Sequence, residues 1–164
     1  METTQIQELL EPQIAAEASA RSFYEAARTW ARRKGYPGAE RQFSCYVHYH
    51  KHDLKMILNI FADWDIDVTM PAVESPGAVP EALPDVLDAS LAIETKLMGE
   101  YNTISQDLFE MNVSIYDSLR KVQKKQTKYF QEINEFVERL KLMNVNNGLD
   151  LVYFDRKVLK WPSR

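Results

Sequence analysis

Glu17, His50, Asp53, Glu94 and Gln126 are the residues of this chain whose types and placement suit metal chemistry. Their donors are carboxylate oxygens, an imidazole nitrogen and a carboxamide oxygen; the two oxygens and one nitrogen of Glu17, Asp53 and His50 are a set that suits Fe(II) or Zn(II). Glu17, His50, Glu94 and Gln126 each interrupt a stripe of apolar residues near its middle, where an unbroken core is expected, and Asp53 lies one turn from His50. Two Glu, an Asp and a His in one core layer need a compensating cation, because burying an unpaired carboxylate costs several kcal/mol. Three arrangements stay open: a metal ion, an inert layer neutralised by a lysine or by hydrogen bonds, or helix faces that do not bring these residues together.

The stripes place the five residues. Ile115, Leu119, Val122, Tyr129, Ile133, Phe136 and Leu140 follow one helix face, with Gln126 in the gap. Leu87, Leu91, Met98, Tyr101 and Leu108 leave a gap at Glu94. Phe43, Val47, Leu54, Ile57, Phe61 and Trp64 leave one at His50, with Asp53 a turn away. Ile6, Leu10, Ala20, Tyr24, Ala27 and Ala31 leave one at Glu17, and Gln13 lies on the same stripe. Mid-helix residues of a four-helix bundle share a layer whether a helix runs up or down, so the five should converge.

Composition bounds the rest. A chain of 164 residues suits one domain with a full core. The formal net charge of −4 carries no nucleic-acid footprint. The lone Cys45 excludes an internal disulfide and fits a reducing compartment. The N-terminus lacks a signal-peptide pattern, and no run of about 18 apolar residues spans a bilayer. A cytoplasmic protein with no membrane or nucleic-acid partner is expected.

The pattern predicts a single domain over residues 1–164, with helices at about 4–34, 39–64, 84–111, 114–143 and a short amphipathic one at 149–161. Thr3 or Thr4 is the expected first cap, and Pro12 signals a kink or a later start. Gly35, Pro37 and Gly38 form a short link, so the first two helices should be antiparallel. From Asp65 to Glu81, Pro71, Pro76, Gly77 and Pro80 forbid helix. Extended, this stretch reaches roughly 55 Å, against about 39 Å for a helix of about 26 residues. It can cross the whole bundle and leave the second and third helices parallel. Asn112 reads as a stop and Ser114 as the next cap. His48 and His52 share a face away from the stripe and read as solvated.

Four pieces carry a family resemblance: Gln13-Ile14-Ala15-Ala16-Glu17 with Tyr24; Thr69-Met70-Pro71-Ala72-Val73-Glu74-Ser75-Pro76; Leu91-Ala92-Ile93-Glu94; and Leu140-Lys141-Leu142 followed by Gly148-Leu149 and Phe154-Asp155-Arg156-Lys157-Val158. In order and spacing they resemble the ferritins, the bacterial non-haem kind, over nearly the whole chain. The resemblance implies an all-α, ferritin-like four-helix bundle with one long crossover and a short fifth helix. It implies Glu17, Glu94 and Gln126 as metal ligands, with Tyr24 beside them and iron as the metal. It also implies a shell of 24 copies, about 460 kDa for a 19.1 kDa chain.

The departures are chemical. Ferritins with an active oxidation centre carry Glu-x-x-His on the second helix, and here those positions are His50 and Asp53. Carboxylates expected around Gln126 are replaced by Lys124, Lys125, Lys128 and Tyr129. Lys51 stands where a haem-binding methionine would be, so no haem is expected. A bridging carboxylate joins two irons through two oxygens; neutral imidazole offers one lone pair. Glu17, His50 and Asp53 can still hold one ion, while Glu94 and Gln126 are a thin set for a second. Tyr24, Tyr129 and Lys125 lie around them, Lys125 one step off the stripe yet a candidate to neutralise a carboxylate. The expected function is iron binding and storage in a cage, with one well-occupied site per subunit and slow or impaired Fe(II) oxidation. The alternative is a non-catalytic structural subunit that assembles alone or with an active ferritin subunit.

Overall fold

The computed structural model of the chain describes residues 2–159. Helices α1 (Glu2–Lys34), α2 (Pro37–Asp63), α3 (Leu83–Met111), α4 (Val113–Lys141) and α5 (Gly148–Tyr153) follow in order, and α5 runs into a π-helical turn at Phe154–Val158. Of the expected fifth helix, Lys160 and Trp161 lie outside the described residues.

Helix α1 already contains Thr3 and Thr4, so neither caps it, and it continues through Pro12. That proline is exposed, where water can satisfy the carbonyl that loses its N–H partner. Gly35 closes α1 at φ +81°, a left-handed conformation natural to glycine, and Tyr36 N–H donates to Ala31 O at 2.9 Å. Asp65 does the same after α2 at φ +52°, a region Asp tolerates better than most residues. Ile66 N–H then reaches Phe61 O at 2.9 Å, and Ile66 is buried. Trp64, read from the pattern as a core residue, is instead 41% exposed, because the helix ends before it and the turn carries it off the stripe. Between α3 and α4 the cap is Asn112 rather than Ser114: its side chain accepts from Ile115 N–H at 3.1 Å, a contact worth about 1 kcal/mol.

Residues 64–82 run along α1. Thr69 N–H donates to Glu11 Oε1 at 2.7 Å near the start of α1, and Glu81 pairs with Lys34 at 3.2 Å at its end. The crossover therefore spans the bundle. Two apolar clusters confirm the resulting directions. One gathers the C-terminal half of α1 and the N-terminal ends of α2 and α3 with the C-terminal half of α4. The other gathers the opposite halves. Helices α2 and α3 are thus parallel. Helix α1 packs mainly on α2 and α3 mainly on α4, and the two hairpins meet through α2–α4 and α1–α3.

The last segment docks on its own bundle. Phe154, Asp155 and Leu159 are buried. The Asp155 carboxylate accepts from Gly38 N–H at 3.0 Å and Ala39 N–H at 2.7 Å, filling orphan donors at the start of α2. Gln42 Nε2 donates to Leu159 O at 2.5 Å.

Candidate metal centre

The polar layer lies between the two apolar clusters, and the structure brings Glu17, His50, Asp53, Glu94 and Gln126 together there, each 0% exposed. Helical spacing sets this: each occupies the core-facing position of its own helix near mid-length.

His50 is the hub. Its Nδ1 lies 2.7 Å from Glu17 Oε2 and its Nε2 lies 2.8 Å from Glu94 Oε1. Burial pushes the imidazole pKa down, but the Glu94 and Glu17 carboxylates outweigh burial and hold it well above its ordinary value. Both ring nitrogens therefore carry protons toward carboxylates. This imidazolium is the cation that faces Glu17 and Glu94; the Lys125 Nζ lies 3.8 Å from Met56 Sδ, and its charge acts on Asp53.

Two tyrosines complete the glutamates in a crossed pattern. Tyr24 of α1 donates to Glu94 Oε1 of α3 at 2.7 Å, and Tyr101 of α3 donates to Glu17 Oε1 of α1 at 2.5 Å. Both phenol pKa values are raised, by burial first and then by the accepting glutamate. Tyr101 escaped the sequence reading because a tyrosine at stripe spacing counts as apolar. The available signal was its spacing: it follows Glu94 by the interval that separates Tyr24 from Glu17. Gln126 Nε2 donates to Glu94 Oε2 at 2.5 Å. The Tyr24 ring stacks on the His50 ring at 5.4 Å and 6°, and Tyr129 packs edge-on to it at 5.8 Å.

Asp53 is the exception to this satisfaction. Both its carboxylate oxygens are buried without a hydrogen-bond partner. Burial and then Glu17 raise its pKa to about 8, opposed by His50 and Lys125. One donor atom each from Glu17, His50 and Asp53 lie within 4.8 Å of one another. Such a set, hard oxygens plus one imidazole nitrogen, fits a divalent transition ion once a ring nitrogen is released from its carboxylate. Glu94 and Gln126, by contrast, bind each other.

His48 and His52 are exposed, as expected. They line a surface cleft with Lys125, Lys128 and Glu132.

The chain superimposes along its whole length on an open pore ferritin from the hyperthermophilic archaeon Archaeoglobus fulgidus, with a TM-score of 0.88, 99% of each chain covered and 16% identity. The fold is that of a ferritin. No family model matches the sequence, and no curated protein matches it. At this identity the likeness establishes the ferritin-like bundle, its crossover and its short fifth helix, not the chemistry of the centre. Among the described residues no helix is long and apolar enough to cross a membrane.

Proposed function

We propose that this ferritin-like chain binds iron at Glu17, His50 and Asp53, one ion per subunit, and stores it inside a homo-oligomeric cage. Asp53 carries the reading: a carboxylate with both oxygens buried and unpartnered, beside an imidazole and a second carboxylate, is an incomplete coordination sphere. Fe(II) is here substrate and cargo. Glu17 and Asp53 would hold it through oxygen and His50 through nitrogen, with Glu94 and Gln126 orienting the imidazole from the far side. The centre lacks the bridging carboxylate that stabilises two adjacent divalent ions against their repulsion, which supports slow or impaired oxidation. The subunit count of 24 and a cytoplasmic location belong to the same reading.

One observation favours the second reading, a structural subunit without oxidation activity. Protonated His50 already hydrogen-bonds both Glu17 and Glu94, at 2.7 and 2.8 Å, so most polar atoms of the layer have partners with no metal. Anaerobic Fe(II) titration of metal-free protein decides between them. Saturation at one ion per chain in the wild type, lost in Glu17→Ala and His50→Ala, supports iron binding; no uptake supports the structural subunit. Light scattering on the same samples tests the cage, with a monomer or dimer mass excluding it.

A further inference from the structure

The helices are ordered α1, α2, α4, α3 around the bundle, so two opposite seams join the hairpins beside the centre. They differ in charge. In the α2–α4 seam, Lys125 and Lys128 face His48 and His52 across a cleft of about 410 Å³. Its carboxylate, Glu132, accepts from Tyr46 Oη at 2.9 Å. Tyr129, stacked on Tyr49 at 4.7 Å, stands between this cleft and His50. A divalent cation is repelled here.

The α1–α3 seam is lined with oxygen. Gln13 is 2% exposed and sits one turn before Glu17 on the same helix face. Its Nε2 donates to Glu100 Oε2 at 3.2 Å. Its Oε1 is buried with no partner, a costly state for a carbonyl oxygen unless a donor or cation visits it. The Glu100 side chain is 30% exposed and thus reaches solvent. Lys96 approaches Glu100 at 3.9 Å from a side chain 78% exposed, a solvated partner that a divalent ion displaces. Tyr101, the residue after Glu100, donates to Glu17 Oε1 at 2.5 Å. Acceptors are thus spaced from the surface to the centre: Glu100, Gln13, then Glu17.

We infer that Gln13 and Glu100 form a staging site for a hard divalent cation, the point at which the ion leaves bulk water on its way to Glu17. The inference rests on the metal reading of the centre. The Gln13 amide turns over to offer its oxygen in place of the Nε2 that now faces Glu100; one carboxylate and one carboxamide oxygen are too few to retain the ion, so it passes on to Glu17 and Asp53.

The test is stopped-flow loading of whole, metal-free protein with Co(II), read by the absorption of the bound ion. Glu100→Gln and Gln13→Leu should each slow loading about tenfold or more, the effect of removing one ligand charge or dipole beside a divalent ion, while the final stoichiometry stays that of the wild type. Gln13→Glu should speed loading. Glu100 is partly exposed, so its variant folds even if Gln13→Leu does not. Wild-type rates in both Glu100→Gln and Gln13→Glu overturn the staging site while leaving the centre standing. A Co(II) spectrum unchanged in Glu17→Ala overturns the centre, and the staging site with it.

Discussion

Asp53→Asn separates the cost of the centre from its use. The Asp53 pKa is raised from 3.8 to about 8 by burial and by Glu17. A carboxyl whose folded-state pKa is raised contributes stability below its unfolded value, and that stability is lost as pH rises through the folded value. At pH 7 the linkage amounts to roughly 4 kcal/mol against the fold, at about 1.36 kcal/mol per pH unit. Asparagine carries no such linkage but leaves a buried amide without partners, at about 1–3 kcal/mol. Metal-free Asp53→Asn should therefore be more stable than wild type by about 1–3 kcal/mol at pH 7 to 8, a rise of several degrees in melting temperature. At pH 4 the advantage should vanish or reverse. Calorimetric melting at fixed protein concentration across this pH range is the assay. Saturating Fe(II) or Co(II) under anaerobic conditions should raise the wild-type melting temperature and leave the variant unmoved. Parallel pH curves, or a variant that melts below wild type at pH 8, refute a raised Asp53 pKa in the folded chain.

On the proposed reading of the centre, exchanging the ligand types, His50→Glu with Asp53→His, adds a carboxylate able to bridge two ions and should raise both metal occupancy and Fe(II) oxidation rate, measured by anomalous diffraction and aerobic absorbance. Gly38→Ala would place a Cβ 1.9 Å from Asp155 O; it should displace the last segment and lower stability by more than about 2 kcal/mol, read by calorimetry. Asn112→Ala should cost about 1 kcal/mol in urea unfolding through loss of the α4 cap.

Periodicity exposed the bundle because each helix is long enough for the gap in its stripe to stand out. Glu17, His50, Glu94 and Gln126 were legible as interruptions, and Asp53 as their neighbour one turn on. The partners were not legible, since hydrogen-bond geometry depends on how helices face each other. That is why the contacts of His50 with both glutamates were hidden, and why Tyr101 passed for an apolar residue. End effects were also hidden: Trp64 matched the stripe, but Asp65 turned the chain out of it. Asp155 could not be foreseen as a cap for α2, because the two lie at opposite ends of the sequence and only docking joins them.

The crossed tyrosines have a consequence for how the chain finds its fold. The α1–α2 hairpin brings Glu17, Tyr24, His50 and Asp53; the α3–α4 hairpin brings Glu94, Tyr101 and Gln126. Each hairpin holds a glutamate whose phenol donor is on the other. Helix packing within each hairpin is far more extensive than packing between the two. A pairing displaced by one helical turn would press Glu17 or Glu94 against hydrocarbon and leave both phenols unmatched. The polar layer thus fixes the vertical alignment of the two hairpins. A chain with leucines in those places would have no polar pairing to set one alignment above another.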